Sequence, residues 1–454
     1  MLKNRFTLLP VIVALAWPTI LEQILQTAVQ YIDTMMVGSL GTDATAAVGS
    51  TVTINWLVNG TVAALGVGFL SYISQAVGAG EKERISAASA QAIFCTLVCG
   101  VFFTVLTLSI SPLIPNIMMV DPAIKDITAK YFFILYSPML FRSAIIIFGA
   151  LLRAVGDTKT PMRIGLLVNI INVVLNFLLI YPTREVIVIG KCITIYGADF
   201  GVLGAAAASA VAFAVGGILT TIALLRHKDL NPKGNKITPN GEILRPCMRV
   251  AIPNAFQRFG TSLGYVVFSS MVNSLGEVST AAHTVANTVE SAFYIPGYGM
   301  QSAAAVLFGN AYGAGDKAKM KSLGRLMIII EVLLMLFSGA ILFIFAEDLV
   351  CLFSTDSVVI RLSTIILRMV ALSEPFFGLA VIIEGIMQGL GKTVKPLIFS
   401  ISTMWGIRIV ITFLCINFFK GGLISAWGAM LLHNVVLCML FVIYYKLVLK
   451  KADV

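Results

Sequence analysis

Residues 78–82 read GAGEK, and residues 313–317 read GAGDK, 235 positions later. Three other pairs keep the same interval. Pro18 recurs as Pro253, and Ser39-Leu40-Gly41 recurs as Ser274-Leu275-Gly276. Gly156 and Pro161, in a loop reading GDTKTP, recur as Gly391 and Pro396 in GKTVKP. One register held through four separated segments marks an internal duplication, and a repeat has to be recognised before any fold is assigned.

The sequence around these marks is apolar. A bilayer core needs about 20 apolar residues per helix. Such stretches lie near 10–37, 46–77, 88–117, 130–152, 163–182 and 201–225. They return near 247–273, 281–311, 323–346, 364–390, 396–418 and 422–449. They are too long and too weakly alternating for outer-membrane strands. Only 12% of residues are charged, against about 25% in soluble domains, too few to cover a water-facing surface. The expected fold is an all-α integral membrane protein with twelve transmembrane helices in two homologous six-helix lobes. Residues 1–225 and 247–454 are the expected lobes. The polar segment 226–246, with Pro232, Gly234, Pro239 and Gly241, is the expected cytoplasmic linker. Six crossings return the chain to its starting side, so the repeats are parallel, an arrangement suited to rocking and alternating access.

The net charge of +10 raises the question of nucleic acid, but the placement of the charges answers it. Of 32 Lys and Arg, 22 fall on the side of the N-terminus, 7 on the other, and Arg142, Arg258 and Arg408 lie within apolar runs. This is the positive-inside pattern, and it places both termini in the cytoplasm of a cell-membrane protein. The first run lacks a small-residue cleavage site, so no signal peptide is expected. The seven Cys contain no CxxC spacing, and Cys95 and Cys99 read as packing. The three His form no cluster, so neither a metal site, a cofactor nor a membrane-embedded enzyme is expected.

Ionisable residues at bilayer depth are functional candidates. Glu22, Asp33, Glu290, Glu331, Glu374 and Glu384 qualify. Glu22, Gln26, Gln30 and Asp33 step by 4, 4 and 3 residues and share one helix face, expected to turn to the protein interior or a water-filled cavity, with Glu22, Gln26 and Gln30 as candidates to line a substrate cleft. Asn172 and Asn176 share a face of the fifth helix. A carboxylate with amide oxygens can ligate a hard cation such as Na⁺, and in a partly desolvated pocket it can carry a proton. Displaced by 235, Asp33 becomes Phe268, Glu22 becomes Gln257, and Asn172 and Asn176 fall near Ile407 and Ile411. The polar constellation is therefore expected in the first half only, as a dedicated ion site would be. Glu374 and Glu384 are candidates for contacting a cationic substrate, though Glu374, ahead of Pro375, is expected at the membrane interface. The 28 Phe and 18 Met offer an adaptable apolar wall.

The segment WPTILEQILQTAVQYIDTMMVGSLG (17–41) resembles the first helix of the MATE (multidrug and toxic compound extrusion) exporters. The two GAG turns, LLRAVGDTKTPM, VNIINVVLNFLLI followed by GVLGAAAAS, Trp405 with Arg408, and Ala426-Trp427-Gly428 resemble that family in order and spacing. The resemblance implies two six-helix bundles around a central cleft, and exchange of Na⁺ or H⁺ for organic cations, drugs or metabolites. It implies an ion site at Asp33, Asn172 and Asn176, with a helix-6 hydroxyl at Ser209. In one branch of the family the second helix-5 position is Asp, which Asn176 departs from. Another branch uses acids on helices 7 and 10, where Gln257, Arg258 and Phe377 stand here.

The expected partners are a small organic substrate, Na⁺ or H⁺ as coupling ion, and the lipid bilayer, with the chain acting as a monomer. The nearest rival is a flippase for lipid-linked oligosaccharide, which would gather Arg142, Arg258 and Arg408 around a pyrophosphate. A passive channel suits a parallel repeat less well.

Overall fold

The computed structural model describes residues 2–118, 120–188 and 191–452. The chain is almost wholly helical. Its principal helices are α1 (Leu2–Gly38), α2 (Thr42–Ala79), α3 (Lys82–Ile110), α4 (Lys125–Tyr136), α5 (Met139–Ala154), α6 (Lys159–Leu179) and α7 (Gly201–Arg226). The second half supplies α8 (Gly241–Asn273), α9 (Glu277–Phe293), α10 (Ile295–Gly313), α11 (Lys317–Ile344), α12 (Ser357–Ala371) and α13 (Glu374–Gly389). It ends with α14 (Val394–Asn417) and α15 (Leu423–Ala452).

The 235-residue interval holds at helix boundaries. The ends of α1 and α8 (Gly38, Asn273), the starts of α3 and α11 (Lys82, Lys317), and the starts of α5 and α13 (Met139, Glu374) all keep it. The reason is visible in the turns. Gly41 and Gly276, Gly80 and Gly315, and Gly156 and Gly391 all take positive φ, between 66° and 113°. Only glycine enters that region freely, and it ends helices there. The capping bonds repeat as well. Glu81 N donates to Ala76 O (3.0 Å) as Asp316 N does to Ala311 O (3.1 Å). Asp157 N donates to Leu152 O (3.0 Å) as Lys392 N does to Met387 O (2.8 Å).

The first glycine of each GAG turn has a different task. A methyl group on Gly78 would collide with the Asn310 carbonyl, and one on Gly313 with the carbonyl of Gln75, the counterpart of Asn310. The ends of α2 and α10 thus cross backbone to backbone at repeat-related positions. Between apolar helices in lipid, such close approach of small residues supplies the packing energy.

Three features depart from the repeat. First, a β-hairpin, β1 (Pro182–Val188) antiparallel to β2 (Lys191–Ala198), joins α6 to α7. Its counterpart is the short link 418–422, so the starts of α7 and α15 are 222 residues apart instead of 235. Second, α2 is continuous, whereas its counterpart breaks at Tyr294, just before Pro296, into α9 and α10. Third, α14 is wound as a π-helix over Met404–Ile409, while α6 is α-helical throughout. A π-turn holds one additional residue. With that residue counted, Asn172 and Asn176 correspond to Arg408, within the π-turn, and Thr412, beyond it, instead of to Ile407 and Ile411. The second half therefore carries polar counterparts at these positions, contrary to the sequence expectation.

Among the described residues, eight helices are long and apolar enough to cross a membrane, and ten if the bent pairs Pro122–Tyr136 with Met139–Ala154 (47°) and Ser357–Ala371 with Glu374–Gly389 (52°) each count as one. The expected seventh and eighth crossings are not among them. α8 carries Arg249, Asn254, Gln257 and Arg258, and α9 carries His283 and Glu290.

The chain forms two compact units. One comprises Met1–Gln23, Leu70–Glu81 and Pro246–Val454, and the other comprises Ile24–Phe69 and Lys82–Arg245. In the second unit, Gln91 pins the segment that follows α7. Its Nε2 donates to Thr238 O (2.8 Å), and Asn240 N donates to its Oε1 (2.9 Å).

Candidate functional site

Asp33 lies one turn before the end of α1 and is half-buried. α6 presents Asn172 and Asn176 toward it from adjacent turns, 5% and 0% exposed. Asn176 Nδ2 donates to Asp33 Oδ1 at 2.5 Å. Asn172 joins the same network in either orientation of its amide. In one, its Nδ2 donates to Ser209 Oγ (2.9 Å) and its Oδ1 accepts from Asn176 Nδ2 (3.2 Å). Turned over, its nitrogen faces Asp33 Oδ1 at 2.8 Å and its oxygen accepts from Ser209 Oγ at 2.9 Å. The four residues singled out in the sequence for cation coupling are thus brought into one connected group within one unit.

Two contacts that sequence reasoning missed hold this group in register. Gly204 lets α7 pack on the last turn of α6, because a β-carbon there would strike the Leu179 carbonyl. This close approach sets Ser209, five residues on, against Asn172. Tyr181, just past α6, bonds through its hydroxyl to Ser39 Oγ (2.8 Å) and to Met36 O (3.3 Å), tying the ends of α1 and α6 together. Tyr131 of α4 is a further buried neighbour of Asp33. No periodicity links Tyr181 to a residue 142 positions away.

Chemically, the group is a carboxylate with two amides and a hydroxyl around it. The amides can turn either a donor or an oxygen toward the site, and Asn176 Oδ1 is buried without a hydrogen-bond partner among the described residues. Such a set can hold a carboxylate in its charged form or offer oxygens to a cation beside it.

Gln26 and Gln30 are exposed on α1, and Glu22 is half-buried in the other unit. Glu384 accepts hydrogen bonds from Gln257 Nε2 (3.1 Å) and Gln388 Nε2 (3.2 Å), and Gln257 also reaches Ser400 Oγ (2.9 Å). Glu374 was expected at the membrane interface beside Pro375, but it is 0% exposed. Proline is well placed in the first turn of a helix, so the Glu-Pro pair marks the start of α13 inside the protein.

Each of the three arginines within apolar runs has partners of its own. Arg142 lies over Phe213 (4.6 Å) and Tyr136 (5.8 Å), Arg258 donates to Asn254 Oδ1 (3.0 Å), and Arg408 lies over Phe268 (4.2 Å) and Tyr265 (4.6 Å). Among the described residues, no group of three or more His, Cys, Asp or Glu is placed to hold a metal ion.

Comparison with known proteins accords with this architecture. The MatE family model matches the chain twice, at residues 18–178 and 253–414, so the matches begin 235 residues apart and end 236 apart. The chain is 27% identical over 421 residues to a Thermotoga maritima protein named "Probable multidrug resistance protein NorM", covering 92% of this chain and 88% of that one. It is 25% identical over 444 residues to the Bacillus subtilis "Probable multidrug resistance protein YoeA", covering 96% and 93%. Among solved structures, a multidrug resistance MATE family transporter in an outward-facing conformation superposes with a TM-score of 0.89 at 22% identity, over 98% of this chain and 96% of that one. With the family model matched across both copies of its repeat, the chain belongs to the MatE family, multi-pass membrane transporters of the multidrug and toxic compound extrusion type.

Proposed function

We propose that this protein is a secondary active exporter that couples inward movement of Na⁺ or H⁺ to efflux of organic, cationic amphipathic compounds. It works by alternating access, as a monomer of twelve transmembrane helices in two six-helix lobes, with both termini in the cytoplasm of the cell membrane. The observation that carries the reading is the Asp33 group. A half-buried acid takes a 2.5 Å bond from one amide and has a second amide and a hydroxyl behind it, and the equivalent position in the other half is Phe268. The names of the relatives, multidrug resistance proteins, support the substrate class.

In this mechanism Asp33 alternates between a cation-loaded and a free charged state. Loading shifts the conformational equilibrium only as far as the cation binds one state better than the other. One charge moving through the membrane potential supplies about 2.3 kcal/mol per 100 mV. The test is efflux of a fluorescent organic cation from reconstituted vesicles under an imposed Na⁺ or H⁺ gradient. Wild type should transport under the gradient of its coupling ion, and Asp33→Asn should lose that dependence entirely. An Asp33→Asn variant that still follows the gradient would remove Asp33 from the mechanism.

A further inference from the structure

Arg408, in the π-turn of α14, is 3% exposed, and its charge is held in an unusual way. Arg258 reaches an amide oxygen, whereas Arg408 has no oxygen acceptor among the described residues. The face of its guanidinium lies over Phe268 and Tyr265 of α8, and Nη2 donates to the sulfur of Met430 at 3.1 Å. Its Nε is buried without a partner among the described residues. A thioether is a weak acceptor, and rings offset only part of the cost of burying a full charge. Arg408 acts on one acid, Glu290 of α9, but that carboxyl accepts from Tyr294 and forms no ion pair with the guanidinium.

Further polar nitrogens are gathered around the same rings, all within the unit that contains Pro246–Val454. His283 of α9 packs edge-on against Phe268, with 5.7 Å between ring centres, and against Trp427 of α15 at 5.5 Å. Trp427 is 0% exposed, and its Nε1, which can only donate, has no partner among the described residues. His283 Nδ1 has none either, while its Nε2 stands 3.4 Å from Ser269 Oγ. Met430 follows Trp427 by one turn of α15, and His433 follows by another. His433 is also a neighbour of Arg408, and its Nδ1 is buried and unpartnered in the same way. Buried donors left open in a folded protein call for a water or an ion to meet them.

The first half shows that packing of the repeat does not require these donors. At the 235-residue interval the counterparts of Tyr265, Phe268 and His283 are Gln30, Asp33 and Val48. At the 222-residue interval of the last helices, those of Trp427, Met430 and His433 are Ala205, Ala208 and Val211. None of the last four carries a side-chain N–H. The exchange is concerted. Where one half has a carboxylate and amides, the other has a fixed positive charge, an indole N–H and imidazole nitrogens, with no carboxylate paired to the charge. Such a set complements a negative ion, since hydrogen bonds from charged donors to an anion are the strong ones.

We propose that Arg408, with Trp427 Nε1 and the ring nitrogen of His283, binds a small monovalent inorganic anion of the halide class. The site goes beyond the exporter reading and does not depend on it. One negative charge neutralises one guanidinium, whereas a divalent ion would leave surplus charge among apolar side chains. A halide is a single atom that accepts from several donors at once. Bound there, it ties α9, α14 and α15 together and removes the expense of the buried arginine.

The test is thermal melting of the purified full-length protein in detergent, with chloride or bromide replacing gluconate at constant Na⁺ and ionic strength. An ion that binds only the folded state raises the melting temperature as its concentration rises. Wild type should show that rise, and Arg408→Gln should lose it whatever its own starting temperature. Trp427→Phe keeps the charge and an aromatic ring but loses the N–H, and should need about tenfold more anion for the same shift. If Arg408→Gln does not fold, Trp427→Phe decides alone. A wild type that melts identically in chloride, bromide and gluconate overturns the proposal, as do variants that respond as wild type does. Glu290→Gln tests the rival counter-ion. It should respond to anion as wild type does, whereas a response gained only in this variant would make Glu290 the partner of Arg408 and sink the halide site.

Discussion

Once the π-turn is counted, position 33 meets positions 172 and 176 in one half of the chain, and position 268 meets position 408 in the other. In the first half the contact is an acid held by amides, with 2.5 Å between Asn176 Nδ2 and Asp33 Oδ1. In the second half it is a guanidinium lying 4.2 Å above the Phe268 ring. The backbone contact has been kept and its chemistry inverted. A half-buried carboxylate can load and unload a cation, whereas an arginine is never deprotonated in a protein and cannot exchange its charge. Duplication built two similar frames, and only the first has the means to exchange a cation at this contact.

Three substitutions probe the contrast beyond the Asp33→Asn test. Asn176→Ala should do the most damage, because it strips Asp33 of its closest donor. A hydrogen bond to a charged group is worth about 1.5–3 kcal/mol, so gradient-driven efflux from vesicles should fall about ten- to hundredfold. Undiminished efflux would mean that the amides only fasten α6 to α1. Arg408→Ala should cost about 2 kcal/mol, the worth of a desolvated cation–π contact. It should appear as a lower melting temperature in detergent with the coupling ion unchanged. A change of coupling ion in this variant would break the contrast, since the second half would then be exchanging cations at this position too. Ser209→Ala should have the smallest effect. It removes one neutral hydrogen bond, about 1 kcal/mol, and should raise the half-saturating concentration of the coupling ion about fivefold in transport kinetics.

Much of this frame was legible in the sequence. The interval between the GAG turns carries through to helix ends and to the backbone of the capping glycines, because a left-handed turn restricts the residue that can occupy it. The Asp33, Asn172, Asn176 and Ser209 group was legible for two reasons. Helical spacing puts polar residues of one helix on one face, and the family resemblance supplied the hydroxyl. What stayed hidden depends on meetings between distant segments. The face of an apolar helix that meets protein cannot be told from the face that meets lipid by hydrophobicity alone. Glu374 therefore looked interfacial beside its proline, although it is sealed inside. The helix breaks at Tyr294 and at Glu374 lie 80 residues apart in sequence, yet the rings of Tyr294 and Phe377 pack with 4.1 Å between their centres. The π-turn left no mark in the composition of MWGIRI, and without it the correspondence past residue 404 ran one position short.

That single additional residue has an evolutionary meaning. An insertion into a regular helix would turn every later residue by about 100°, but one absorbed as a π-turn leaves the later residues on the faces they held. The end of α14 therefore keeps the face that its counterpart on α6 presents, with Arg408 over Phe268 where Asn172 meets Asp33. The two copies could thus differ in length by one residue here and still part in chemistry by substitution, Asp33 against Phe268 and Asn172 against Arg408.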